Sequence, residues 1–333
     1  MSHHRAIVEP FHDIRERFIT RRFSSMSTQT HQSFPFDADA IARELLSENE
    51  LAVASCASAL GALAATRALP REFIITVDAL VRIIAIERTQ KFHARTYASA
   101  LAALAAIEAN VEGASARARE LDVARVVAER VERETSTTMM MSEDDTEKDN
   151  ENEDDDDDDD GLAMMEINAL DVLRFALTKD NDEGHRYLLA RKASVSFALE
   201  RAACEGASEF ASMKRLGGVD LIVNIAQGVE SEDEFDALMR DGGFACFARA
   251  LSSGDDDVAV RGCIGLACAL PRRPALRETF ARDGDAVRRL ATLMRSEDED
   301  VRGFSSGLFR ALALDPSTKP HVERALREAI DRV

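Results

Sequence analysis

The chain has 333 residues, 45% of them hydrophobic, with no Trp and a net charge of −19. That acidity argues against a general nucleic-acid binder, which needs a dominant basic surface for phosphates. No run of eighteen apolar residues is present, so a membrane-spanning helix is not expected.

In chain order, the first 36 residues come as a tail. Ile7, Phe11, Ile14 and Phe18 fall at 4-3-4 spacing, with Arg15, Arg17, Arg21 and Arg22 nearby. This is the apolar row of an amphipathic helix. Arg21-Arg22-Phe23-Ser24-Ser25 has the composition of a mitochondrial cleavage context, whereas Glu9, Asp13 and Glu16 are acids that such leaders avoid. A capping or tail segment and a targeting segment are both open, and a start at Met26 would delete the signal. The expected location is cytoplasmic or nuclear, or mitochondrial if residues 1–25 act as a presequence.

From residue 37 onward the sequence repeats itself. Residues 57–65 (ASALGALAA) and 98–106 (ASALAALAA) agree at all but one position, 41 residues apart. Gly265-Leu266-x-x-Ala269-Leu270 recurs as Gly307-Leu308-x-x-Ala311-Leu312, 42 residues later. Val77-Asp78-Ala79-Leu80, Leu121-Asp122-Val123-Ala124 and Leu170-Asp171-Val172-Leu173 form another related set. Gly217-Gly218, Gly242-Gly243 and Gly284 are predicted corners between helices, since glycine reaches positive φ without a Cβ clash. The first two pairs are only 25 residues apart, which predicts one truncated repeat. Ala and Leu dominate throughout, and both are strong helix formers.

Residues 143–160 carry fourteen acids and one lysine, leaving only −6 of the net charge to the rest of the chain. Like charges at this density repel and do not pack, so 142–161 is predicted to be a disordered acidic loop. It has no turn residue to fix carboxylates around Ca²⁺. A solvated spacer and an attractor of basic proteins are the two readings of it. Ser142-Glu143-Asp144-Asp145 also suits an acid-directed kinase.

Catalytic signatures (GxSxG, P-loop, GxGxxG, HExxH, paired Cys-x-x-Cys) are missing, and His93, His185 and His321 are scattered. The expectation is a non-enzymatic chain with no cofactor and no metal. Cys56, Cys204, Cys246, Cys263 and Cys268 are an odd set inside apolar patterns and read as reduced, buried residues.

A period near 42 with a glycine corner and an Ala-Leu-rich final helix resembles the armadillo repeat, with HEAT repeats as a neighbour of similar length. The resemblance covers roughly residues 37–333. It implies an all-α superhelical solenoid of about six to seven repeats, divided into N-terminal repeats (37–141), the acidic loop (142–161) and C-terminal repeats (162–333). Helices near 37–48 and 318–331 would cap the ends.

Importin-type members carry a Trp and, four residues later, an Asn on their third helices, which clamp a basic peptide. Aligned here, the Asn positions become Ala62, Ala103, Arg201, Cys268 and Arg310, and the Trp positions Ser58, Ser99, Phe197, Ile264 and Ser306. That ladder is therefore not expected. In its place Phe197, Arg201, Arg261, Arg302, Phe309 and Arg310 are candidate protein-binding residues. Arginine suits planar carboxylates, and an aromatic neighbour adds cation–π attraction. The resemblance thus implies a scaffold or adaptor for a protein partner, with the chain's own acidic loop as one candidate occupant of the basic groove. The alternatives are an armadillo-type co-chaperone acting as a nucleotide-exchange factor and an acidic-tract binder of basic proteins.

Overall fold

A computed structural model describes residues 37–66, 69–85, 92–144, 155–177 and 182–330, and every regular element among them is helical. The order is α1 (Ala38–Leu45), α2 (Glu50–Thr66), a 3₁₀ turn (Arg71–Ile74), α3 (Ile75–Ile84), α4 (Ala94–Asn110), α5 (Ala114–Glu120) and α6 (Val123–Asp144). It continues with α7 (Asp155–Leu177), α8 (Asp182–Leu189), α9 (Lys192–Ala202), α10 (Glu209–Gly228), α11 (Glu232–Leu238) and α12 (Phe244–Leu251). The chain ends in α13 (Asp256–Arg272), α14 (Pro274–Arg282), α15 (Gly284–Leu293), α16 (Glu299–Leu314) and α17 (Lys319–Ile330). The tail 1–36 and positions 145–154 of the acidic tract lie outside the described residues.

Among the described residues these helices group into six repeats, most of them a short first helix, a second helix and a longer third helix. The third helices are α2, α4, α7, α10, α13 and α16. One compact unit spans Gln32–Gly228, and the other contains Val229–Val333. In the first, α2, α4 and α7 stack side by side, with α10 against α7, while α1, α3, α6 and α9 form a parallel layer of second helices. In the second, α13 packs on α16 and α12 on α15, and α17 covers both α15 and α16. Each layer is apolar toward the other. Leu60, Leu80, Leu101, Leu104, Leu170 and Leu173 fill the first core, and Phe235, Phe247, Leu266, Leu290 and Leu308 the second. No single hairpin covers its own apolar face, so each repeat is stable only against its neighbours.

The helix starts are written into the sequence. Asp255, Asp283 and Asp298 cap α13, α15 and α16, each accepting two backbone N–H bonds at 2.8–3.4 Å. Asp37 caps α1 and Ser231 caps α11 in the same manner. An N-cap aspartate contributes about 0.5–2 kcal/mol relative to alanine by satisfying otherwise orphaned amides.

Two sequence expectations are corrected. Gly217 and Gly218 do not form a corner; they sit inside the unbroken helix α10. A Cβ on Gly218 would lie 2.5 Å from both the Ala198 carbonyl oxygen and the Ala202 nitrogen, so the missing side chain lets α9 lie directly on α10. Gly242, with φ of 126°, is the true corner leading into α12, and Gly284 is the first residue behind the Asp283 cap. The 25-residue spacing therefore compares two different positions in successive repeats, and no repeat is truncated there.

Helices enter the acidic segment from both sides. Helix α6 runs on through Asp144 and α7 begins at Asp155. Negative charge is favourable at a helix N-terminus, so a run of aspartates does not prevent a helix from starting there. Helix α7 packs across α4, so stacking continues past the acidic tract, and the two compact units meet in sequence at Gly228.

One buried group opposes the fold of the first unit. Glu108 on α4 is 1% exposed, and neither carboxyl oxygen has a hydrogen-bond partner. Burial raises its pKa well above the usual carboxylate range, against the opposing pull of Arg119. The unfolded chain therefore releases this proton near pH 4 while the native state keeps it. Stability from this site is full in acid and falls as pH rises toward the folded pKa. Glu108→Gln is expected to raise the melting temperature of the first unit at pH 7, by roughly 2–4 °C per kcal/mol recovered. The gain should vanish at pH 4, and equal melting of the two proteins at pH 7 would contradict it. In the second unit, Asp283→Ala should speed amide exchange at residues 285–287 by about 2- to 30-fold, the equivalent of one lost cap.

Candidate functional site

Side by side, α2, α4 and α7 leave an elongated cleft of about 680 Å³ along their outward faces. Its floor is made of small residues. Ala57, Gly61 and Ala65 on α2, with Ala98, Ala102 and Ala106 on α4, each recur every fourth position and so form one straight row per helix. A Cβ on Gly61 would stand 3.3 Å from the Ala103 Cα, which shows how closely the two backbones approach. The Glu50 carboxylate at the start of α2 accepts from the His93 backbone N–H at 2.6 Å and the Thr96 hydroxyl at 2.8 Å, fixing α4 beside it.

A polar row crosses this floor. The Ser58 hydroxyl donates to Ser99 Oγ at 3.3 Å, and Ser99 donates back to the Arg95 carbonyl at 3.0 Å. On the next helix Asn168 Nδ2 donates to the Ala98 carbonyl at 2.9 Å. Met164 and Phe210 line the far side of the cleft, and Arg95 and Asp160, both exposed, are the charged lining residues.

The absence of charge on these faces is informative. After Glu50, α2 has no ionisable side chain except Cys56, and the exposed face of α4 carries only Arg95. A helix face that meets only water ordinarily carries charged residues. This one presents alanine, glycine and serine to solvent.

The residues proposed from sequence fall elsewhere. Phe197 and Arg201 lie on α9, a second helix of the first unit, and not on a third helix; Arg261, Arg302, Phe309 and Arg310 belong to the second unit. Phe197 is buried beneath the Arg201 guanidinium, 4.4 Å from its ring centre. Arg201 also bonds Glu166 on α7, its Nε at 3.0 Å, and Glu200 at 2.8 Å. Glu166 is only 6% exposed and holds Lys214 of α10 as well, so it joins three helices. Arg302 donates to the Ser296 and Glu297 carbonyls at 2.7 and 2.6 Å, closing the turn before α16. Arg261 is half-buried, Phe309 is half-buried and Arg310 is exposed. The sequence alignment counted α9 as a third helix because Phe197 and Arg201 mimic the ladder spacing. With the phase set by the structure, Asn168 on α7 stands next to the Ser58–Ser99 row, a residue that alignment passed over.

Burial pushes the Cys246 and Cys263 thiols up to about 12, so neither forms a thiolate at neutral pH. Among the described residues no His, Cys, Asp or Glu group is arranged to hold a metal ion.

No protein-family model and no curated protein matches the sequence. Solved structures do match. A designed armadillo repeat protein is 17% identical with a TM-score of 0.60, covering 83% of this chain and all of its own. A computationally designed armadillo repeat protein for modular peptide recognition is 16% identical at the same TM-score, covering 83% of this chain and 99% of that one. A third, a designed armadillo repeat protein in complex with the peptide (KR)4, is 15% identical with a TM-score of 0.59 and covers the same shares. At such identities the likeness concerns the backbone.

Glu166 supplies a direct test of how the third helices are held. Glu166→Ala leaves Arg201 and Lys214 without their shared carboxylate. The first unit should lose stability toward the lower end of the about 3–5 kcal/mol typical of a broken buried pair, because both cations keep some solvent contact. Urea unfolding followed by helical circular dichroism measures it, and a loss under 0.5 kcal/mol would show that the clamp is dispensable. Stacked third helices, the Gly242 corner and the matched backbones together establish an armadillo-like helical repeat fold.

Proposed function

We propose that the chain is a protein-binding solenoid, acting as a non-enzymatic adaptor, and that the cleft over α2, α4 and α7 receives an extended segment of its partner. The observation that carries this reading is the uncharged, small-residue face exposed on α2 and α4. Such a floor lets a peptide backbone approach closely, and buried alanine surface yields roughly 25 cal/mol per Å² removed from water. Ser58, Ser99 and Asn168 add polar atoms that meet a peptide's N–H and C=O groups, which must be satisfied once water leaves. The designed armadillo protein with bound peptide supports the same use of this backbone.

Ala62 and Ala102 are both exposed, so long side chains there fill the cleft without entering the core. The double variant Ala62→Arg, Ala102→Arg should keep the wild-type helical content and melting profile. In quantitative capture from the native cell, proteins bound by the full chain should fall at least 10-fold with this variant and persist with Arg310→Ala. Identical partner sets for wild type and the cleft-filled variant would overturn the reading.

A further inference from the structure

The internal repeat shows what the start of the first unit lacks. Residues 57–65 on α2 and 98–106 on α4 match at an offset of 41, so the two third helices present equivalent faces. On α4, Thr96, Ala100, Ala103 and Ile107 are buried. Helix α2 covers that face: the Gly61 backbone lies against Ala103, and the Glu50 carboxylate accepts from the Thr96 hydroxyl at 2.8 Å. At the same offset their counterparts on α2 are Ser55, Ala59, Ala62 and Thr66, and all four are exposed. Among the described residues no helix precedes α1, so no third helix stands against α2 as α2 stands against α4. Leu46 and Leu51, on either side of the turn from α1 to α2, are exposed as well. A terminal repeat ordinarily turns a polar face outward to stay soluble. The last helix, α17, obeys that rule with exposed Glu323, Arg324, Arg327 and Glu328. The first repeat does not.

From this contrast we infer that the open face of α2 is a dimer interface, covered by the same face of a second copy of the chain. The inference is independent of the cleft reading, although Ala62 lies on the border of both surfaces. Helix axes come within about 8 Å only where the contact residues are small, so a face of alanine and serine calls for a covering helix of the same kind. A second α2 brings Ser55 and Ala59, whereas the apolar row before residue 37 consists of Ile7, Phe11, Ile14 and Phe18. The other faces of the third helices are taken, since α4 covers the opposite side of α2 and α17 covers α16. A copy therefore meets this face with its own, about a two-fold axis, the commonest symmetry of soluble dimers. The face of α2 carries no charge, which spares the pairing like-charge repulsion. The exposed charges of α1, Asp39, Arg43 and Glu44, include both signs. Together α1 and α2 offer about 37 Å of helix, each about 10 Å wide. Two such faces bury on the order of 1,000 Å², the size of a reversible interface.

Sedimentation velocity of the full chain from 1 to 100 µM reads the association directly. A dimer is expected by 100 µM, with no weakening when salt rises from 150 to 500 mM. Ser55→Lys, Ala59→Lys places ammonium groups in the contact but, both sites being exposed, none in the core of the monomer. It should weaken association at least 10-fold. Ala102→Arg, on the cleft side of α4, should leave association unchanged. In the wild-type chain, amide exchange at residues 51–66 should slow at least 5-fold as the dimer forms, a reading that does not depend on how any variant folds. A chain that stays monomeric at 100 µM would overturn the inference. So would a dimer that survives the lysine substitutions or dissociates in 500 mM salt. Slow exchange at 51–66 in a chain that sediments as a monomer would also overturn it, assigning the face to residues 1–36 of the same chain.

Discussion

Close approach of neighbouring third helices is the constraint on which the first unit depends. Hairpins of about forty residues bury too little on their own, so their stability comes from contact with the next repeat. That contact is made over the lengths of α2, α4 and α7, and it demands small residues where the backbones come nearest. Gly61 against Ala103 and Gly161 against Arg95 mark those points. The same requirement determines what the outward face looks like. Residues selected to let helices approach cannot also project long charged side chains beside the seam, so a smooth uncharged floor follows from the packing.

Ion pairs join neighbouring helices at several points in this fold. Glu166 draws Arg201 and Lys214 onto α7, Arg117 bonds Asp78 at 2.8 and 2.9 Å between α5 and α3, and Asp122 is bound by Arg191 and Arg125. In the second unit Arg272 and Arg273 stack on Phe235 and pair with Glu232. Exposed pairs of this kind contribute little each, whereas those closed off from water fix the register of one helix on another. An arginine beside an aromatic ring is thus a common structural joint here, and it does not by itself mark a binding surface.

That explains which features were legible in the sequence. The 41- and 42-residue matches gave the architecture, because periodic Ala-Leu helices admit no sheet. Phase within the repeat was harder to read. Gly217-Gly218 and Gly242-Gly243 are the same two letters serving opposite needs, close helix contact in one and a positive φ in the other. Phe197-x-x-x-Arg201 imitates the spacing of a groove-lining ladder while lying on a second helix whose arginine is held by Glu166. The candidate cleft was hidden for a different reason. It is defined by side chains that are small, and a pattern search looks for those that are chemically distinctive. Its one sequence signal was that α2 and α4 lack the charged face that a solvated helix ordinarily shows.

The connection between Asp144 and Asp155 joins the second and third helices of one repeat, and those two helices pack on each other. The fold therefore holds α6 and α7 against each other on either side of this stretch. Every aspartate added or removed there changes the local charge by one. The negative charge of this stretch can accordingly be graded in single steps while the residues that pack α6 on α7 stay the same.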